Sequence, residues 1–302
     1  MAGSGTSASA NAAPARKFAY DTDALADYME AVRRDMAQTH AAWAFQHIQK
    51  TAGTSVVEDL ARNCGVKLVN VFMTADDYAH ESETTFDEVL ERHAEAIRNP
   101  ATELVTGHFL RRHLDRLEQI RPVRLFTFVR APVARVVSAY RYYRSPAHPT
   151  HTAFARAFPD FMSYVNDPVS QNYMAKCICR DTEAFSDLED SLARFALIGT
   201  AEQFALSFRL LSAFVRKPRF PVIHARKTEA TADNAVVVDD EVRRAIWRVN
   251  AVDVAIYRRA GETLERLRPQ ILALEAQAPK VEAPAPARPT RPGKAKATKK
   301  KR

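Results

Sequence analysis

The chain has 302 residues, 46% apolar content and a formal charge of +8, enough apolar material to bury the core of one α/β domain with tails. The charge is confined to one end: nine basic residues (Lys280, Arg288, Arg291, Lys294, Lys296, Lys299, Lys300, Lys301, Arg302) stand against Glu282, and the rest of the chain balances 35 basic against 35 acidic residues. A basic face for specific nucleic-acid binding is therefore not expected on the folded part, and the lack of an 18-residue apolar run or a signal-type N-terminus points to a cytoplasmic chain with no transmembrane segment.

Residues 1–20 open Ala/Ser/Gly-rich and read as a disordered segment. A helix is expected from Thr22 to Gln38, with Leu25, Tyr28, Met29 and Val32 on one face. From Trp43 short apolar runs alternate with amphipathic stretches, the pattern of βα units around a mostly parallel central sheet with helices on both faces. The strand candidates are Trp43–Ile48, Lys67–Phe72, Glu103–Thr106, Val123–Val129, Phe195–Ile198 and Val222–His224. A helix between the second and third is marked by a Thr85/Glu88 capping box and stops at Asn99-Pro100. Others are expected at Pro132–Tyr143, Phe154–Val165, Ala201–Val215 and Asp239–Leu267. The spacing of Cys64, Cys177 and Cys179 gives neither a disulfide framework nor a metal site, so free or buried thiols in a reducing compartment are expected. The single domain is assigned to 21–275, and 276–302 to a disordered Pro/Ala/Lys-rich basic tail.

Two segments carry chemistry. In Phe45-Gln46-His47-Ile48-Gln49-Lys50-Thr51-Ala52-Gly53-Thr54-Ser55 a buried strand runs into a short polar loop, with a helix at once behind it. Such a loop converges backbone N–H groups, hydroxyls and a helix N-terminus on one point, which suits phosphate or sulfate, and Lys50 adds a positive charge. It is not a Walker A loop, because the lysine precedes the only glycine. An ordinary strand–turn–helix junction capped by Thr54 fits the same residues. The second segment, Leu125 to Tyr140, repeats the plan: an apolar strand ends at Arg130, Pro132 stands where a helix begins, and Ser138 lies two turns in. An arginine at the C-terminal edge of a parallel strand can grip a phosphate bidentately, or pair with a carboxylate. Arg135 and Arg141 are expected to be solvated or acceptor-facing.

With these residues in view, the chain resembles the PAPS-dependent carbohydrate sulfotransferases (sulfotransferase family 2), and among them the uronosyl 2-O-sulfotransferases of heparan sulfate, as a soluble bacterial-type member. Lys50-Thr51-Ala52-Gly53-Thr54-Ser55 is similar to the family's loop for the 5′-phosphosulfate of 3′-phosphoadenosine 5′-phosphosulfate (PAPS). Val129 to Ser138 resembles its 3′-phosphate segment, with Ala131 in place of aspartate. Gly107-His108 matches its catalytic G-H pair, and Arg226-Lys227-Thr228 a late cofactor-contacting segment. Gly199 to Phe204 and Asn250 to Tyr257 extend the likeness to about 42–260. Gln49 replaces a usual proline, and Thr106 stands where the eukaryotic enzymes carry a second histidine.

The resemblance implies a single-domain P-loop-like sulfotransferase fold. It also implies an enzyme moving a sulfonyl group from PAPS, which leaves as PAP, to a hydroxyl on a carbohydrate or another acceptor, with no metal. It assigns Lys50 to the bridging oxygen and sulfonate, and Thr51, Ala52, Gly53, Thr54 and Ser55 to the 5′-phosphate. Arg130 and Ser138, assisted by Arg226 and Lys227, are assigned to the 3′-phosphate, and His108 is the general base. Gly107 is expected to leave room for the substrate, His47 to be a packed core residue and His113 to be solvated. Arg111, Arg112 and Arg116 suit an anionic sugar or form a solvated helix face. The alternatives are a small-molecule kinase with an atypical phosphate loop, and a non-catalytic nucleotide- or polyanion-binding protein. The acceptor's identity and the oligomeric state are not written in the sequence.

Overall fold

The computed structural model describes residues 20–72, 86–215, 219–222 and 231–276. Residues 1–19 and 277–302 of the expected disordered ends, Thr85 of the expected capping box and Arg226-Lys227-Thr228 lie outside them. Tyr20, expected in the disordered segment, is instead buried and donates to the Ile198 carbonyl at 2.8 Å, and Ala276 ends the last helix.

Five strands, β1 (Ala42–Gln46), β2 (Leu68–Val71), β3 (Leu104–Gly107), β4 (Val123–Val129) and β5 (Phe195–Thr200), form one all-parallel sheet in the order β2-β3-β1-β4-β5. The sheet with its helices is a single α/β domain. β1 and β5 are buried throughout and β4 nearly so, as strands covered on both faces must be, which is why they read as unbroken apolar runs. Of the sixth strand candidate only Val222 is described, and it is not in a strand; residues 223–224 lie outside the described residues.

Helices α1 (Leu25–Thr39), α2 (Gly53–Glu58, continued by a π-helical turn over Asp59–Asn63), α3 (Phe86–Arg92), α4 (Ala94–Arg98), α5 (Arg111–Ile120) and α6 (Pro132–Tyr143) fill the first half. They are followed by α7 (His151–Ala157), α8 (Phe161–Asn166), α9 (Tyr173–Ile178), α10 (Leu188–Ala193), α11 (Phe204–Phe214), α12 (Asp240–Val249) and α13 (Ala251–Ala276). Three helices expected as single pieces are broken. His93 separates α3 from α4. Pro159 lies between α7 and α8, where a proline removes a helical N–H, and Asp160 restarts the helix by accepting the Ser163 N–H at 2.8 Å. Asn250 divides α12 from α13: its buried side chain accepts the Asn172 N–H at 2.9 Å and donates to the Ile246 carbonyl at 3.0 Å. Such a polar hinge leaves the apolar periodicity almost unchanged, so the sequence pattern runs straight across it.

The core lies on both sides of the sheet. On one face Trp43 and Phe45 of β1 meet Phe126 of β4, and Trp43 packs edge-on against Phe214 of α11 at 5.7 Å. On the other, buried Gln46 donates to the carbonyls of Phe109 (2.9 Å) and Cys177 (2.7 Å), tying β1 to α9. Cys64, Cys177 and Cys179 are buried free thiols. None of the described helices is long and apolar enough to cross a membrane.

Candidate active site

In a parallel sheet all strand C-termini share one edge, and here β1, β3 and β4 deliver Lys50, His108 and Arg130 to it. The register is close: Gln46 pairs with Gly107 on one side and Thr127 on the other.

The loop after β1 turns by placing Lys50 (φ 67°) and Ala52 (φ 72°) in the left-handed region, an uncommon choice for residues with a side chain. Two bonds hold it there. The Thr51 hydroxyl donates to the Ile48 carbonyl at 2.8 Å, and Arg130 Nη1 donates to the Lys50 carbonyl at 3.1 Å. Thr51 is therefore a buried staple of the loop. Thr54 does not cap α2 as the simpler reading expected: Ala52 holds the N-cap position, no side chain closes the helix end, and Thr54 is exposed. The Gly53 and Thr54 N–H groups at the start of α2 are consequently not taken by a side-chain cap. Gly53 is dictated by packing, since a Cβ there would fall 2.0 Å from Cδ2 of His47.

The Lys50 ammonium lies over the Tyr142 ring, 4.1 Å from its centre. Burial, with the Arg130 charge second, brings its pKa down to about 8. Gln49 accepts a hydrogen bond from the Tyr143 hydroxyl, and His148 packs edge-on against both tyrosines at 5.2 and 4.9 Å. Gln49 thus replaces a rigid ring with a side-chain tie to the end of α6. Tyr142 is four residues beyond Ser138, on the same face of α6, and Ser138 is half-buried.

Arg130 ends β4 as expected. Its Nε is 3.9 Å from Glu202, which also accepts the Ala131 N–H at 3.2 Å and bonds the Tyr257 hydroxyl. The guanidinium is one-third exposed, open enough to receive a ligand on one side. Pro132 is the first residue of α6, with no left-handed residue before it.

His108 follows β3 directly. Its Nδ1 is 2.7 Å from the His47 carbonyl, which can only accept, so the proton is on Nδ1 and Nε2 presents a lone pair. Burial lowers its pKa, opposed by that backbone bond, so the imidazole is neutral at neutral pH. Phe72 and His47 flank the ring at 4.8 and 4.6 Å. Gly107 serves packing, not substrate access: a Cβ there would lie 2.4 Å from the Val71 carbonyl oxygen and 2.9 Å from the Phe109 ring.

Several expectations change. His113 is 4% exposed, stacked on Phe86 at 4.2 Å, and its Nδ1 accepts the Leu110 N–H at 3.1 Å. Burial, then the Arg112 charge, lowers its pKa to about 4, so it is a core residue. Arg135 is buried within helix packing: it donates to the Ser170 carbonyl at 2.8 Å, covers the Tyr173 ring at 4.8 Å and faces buried Asp253. Asp253 accepts the Met174 and Ala175 N–H groups, locking α9 to α13. Arg141 is half-buried, with Nε enclosed and lacking a hydrogen-bond partner among the described residues. Arg111 and Arg116 pair with Asp115 and Glu91, while Arg112 is exposed. His47 lies just past the end of β1; its ring is packed against Phe45 and Phe72 as expected, although the residue as a whole is half-buried. Glu202, Tyr142, Tyr143 and His148 join the site without having been singled out; an aromatic run at the end of a helix reads as core, and only the fold brings it over Lys50. Among the described residues no group of three or more His, Cys, Asp and Glu could hold a metal.

The C-terminal edge of this parallel α/β sheet thus gathers two strand–helix junctions, a lysine, an arginine and an imidazole. Comparison supplies the class: a family model described as "Sulfotransferase family" matches residues 35–258, well over half the chain, and the chain belongs to that family. It is a sulfotransferase. No curated protein matches it.

Proposed function

We propose that this sulfotransferase takes its sulfonyl group from PAPS and transfers it to a carbohydrate hydroxyl. The observation that carries the reading is the bond from Arg130 to the Lys50 carbonyl, which joins the two anion-competent junctions into one surface beside His108. A donor with phosphates at both the 5′ and 3′ positions of one ribose needs two such junctions a short distance apart.

On this reading the N–H groups at the start of α2, with Thr54 and Ser55, receive the 5′-phosphate, and Thr51 keeps the loop in shape. Lys50 leaves the Tyr142 ring for the bridging oxygen, where negative charge grows as the bond to sulfur breaks. Arg130, with Ser138 on the next helix, takes the 3′-phosphate. His108 Nε2 accepts the acceptor's hydroxyl proton as the new O–S bond forms and the O–S bond to the phosphate breaks, releasing PAP. The exposed Arg112 suits an anionic sugar.

Calorimetry with PAP and ATP, followed by transfer of labelled sulfonate from PAPS to a panel of oligosaccharides, tests the reading. PAP is expected to bind well ahead of ATP, and label to appear on a sugar hydroxyl. Preference for ATP would return the chain to the kinase alternative.

A further inference from the structure

We propose that His47 is a second functional imidazole of this site, a neutral N–H donor to the transferring sulfonyl group. The proposal rests on the donor reading above.

Its geometry is specific. The ring stacks on Phe45 (5.5 Å between centres, 10° between planes) and meets the edge of Phe72 at 5.8 Å, so it has no freedom to swing. Its Cδ2–Nε2 edge occupies the space beside Gly53, where an added Cβ would lie 2.2 Å from Nε2. That edge therefore faces the first turn of α2, whose end no side chain caps. On its other flank the ring is 4.6 Å from His108.

The two nitrogens are not equivalent. Nδ1 is fully enclosed and has no partner, whereas Nε2 is not enclosed and no described residue bonds to it. A buried bare lone pair costs less than a buried unpaired N–H, so the proton belongs on Nε2. The titratable groups facing the ring are Lys50 on its own loop and His108 just after β3; Phe45, Phe72 and the Gly53 main chain supply none. Burial, then those two groups, lowers the His47 pKa to about 3, so the ring donates while remaining neutral through the working pH range. A neutral imidazole is a suitable donor to oxygen atoms that gain charge during transfer.

The step balances without any further reactant. The acceptor oxygen bonds to sulfur, its proton goes to His108 Nε2, and the bridging oxygen departs with the phosphate. His47 Nε2–H keeps its proton and shortens its hydrogen bond to a sulfonyl oxygen.

His47→Phe retains the stacking and removes the donor, and His47→Gln restores an N–H. His47→Phe is expected to bind PAP, which has no sulfonyl group, within about twofold of wild type. Its kcat should fall about 10²-fold, the scale for losing one such donor. The acid limb of its pH–rate profile should stay where His108 sets it, and His47→Gln should recover at least tenfold. Nitrogen-15 NMR of the wild type at pH 7 should find the His47 proton on Nε2, a readout that does not depend on either variant folding. Near-normal kcat in His47→Phe overturns the proposal. So does an equal loss of PAP affinity, which marks a packing wedge, or loss of the acid limb, which makes His47 the base itself. A proton on Nδ1 overturns it too. Failure of wild type to bind PAP is a separate result that sinks the donor reading and this assignment with it.

Discussion

The junctions after β1 and after β4 read alike in sequence, each an apolar strand, a few polar residues and a helix, yet they present positive potential differently. The first does it with main chain: two left-handed residues, a Thr51 staple and a glycine whose missing Cβ admits an imidazole leave the start of α2 uncapped. The second does it with a side chain: α6 starts conventionally on proline, and a guanidinium is held between Glu202 and the Lys50 carbonyl. The first should therefore be intolerant of added volume, and the second of lost charge.

The largest effect is expected where both junctions aim. His108→Ala should lower turnover by roughly 10²–10⁴-fold, the range for a positioned base, while PAP affinity measured by calorimetry stays put. A fall in affinity of similar size would mean that the two junctions depend on the ring between them.

Arg130→Ala should weaken PAP binding by ~1.5–3 kcal/mol, the range for hydrogen bonds to charged groups, and Arg130→Lys should recover only part. Full recovery in Arg130→Lys would show that charge alone matters there and that the fork of the guanidinium does not.

Gly53→Ala leaves every charge in place and adds one methyl against His47. It should cost about 1–3 kcal/mol of stability by thermal or urea unfolding, the range for overpacking, with PAP affinity reduced alongside. An unaffected variant would mean that the His47 ring can move, and the contrast between volume and charge would be lost.

The smallest effect concerns acid. His47 and His113 have folded-state pKa values lowered to about 3 and about 4, below the ordinary 6.5. Between those values and 6.5 the unfolded chain binds protons that the folded chain refuses, so stability rises with pH there and is flat above about 7. Unfolding midpoints should fall from pH 7 to pH 5. His113→Gln, which keeps an acceptor for the Leu110 N–H and does not titrate, should flatten that fall. An unchanged slope would place the acid sensitivity at the donor loop.

The sheet was legible from the sequence because its strands are buried on both faces: β4 was expected at the residues it occupies, and β1, β2, β3 and β5 within two residues. That Lys50 and Arg130 come to the C-terminal edge of the sheet was legible because each follows an apolar strand that runs straight into a helix. Two kinds of feature escaped. Helix breaks at His93, Pro159 and Asn250 hid inside continuous apolar periodicity. Burial of cations and imidazoles escaped as well: His113 stands among charged neighbours and Arg135 is a lone charge in an apolar run, and only tertiary partners such as Phe86 and Asp253 make them interior residues. Glu202 was visible only as part of a junction, and its hold on Arg130 depends on β5 lying beside β4.

The strand order has a kinetic meaning. The first strand along the chain is the middle strand of the sheet, and the contacts that complete the active edge close very long loops. His108 reaches the His47 carbonyl across 61 residues, and Arg130 reaches the Lys50 carbonyl across 80. Contacts at such separations form late, because loop-closure entropy must be met before they return anything. A nascent chain released before β4 has emerged can hold the lysine loop but not the arginine that fixes its shape. On the proposed donor reading, anion affinity should arise in one step, together with the cooperative closing of the sheet.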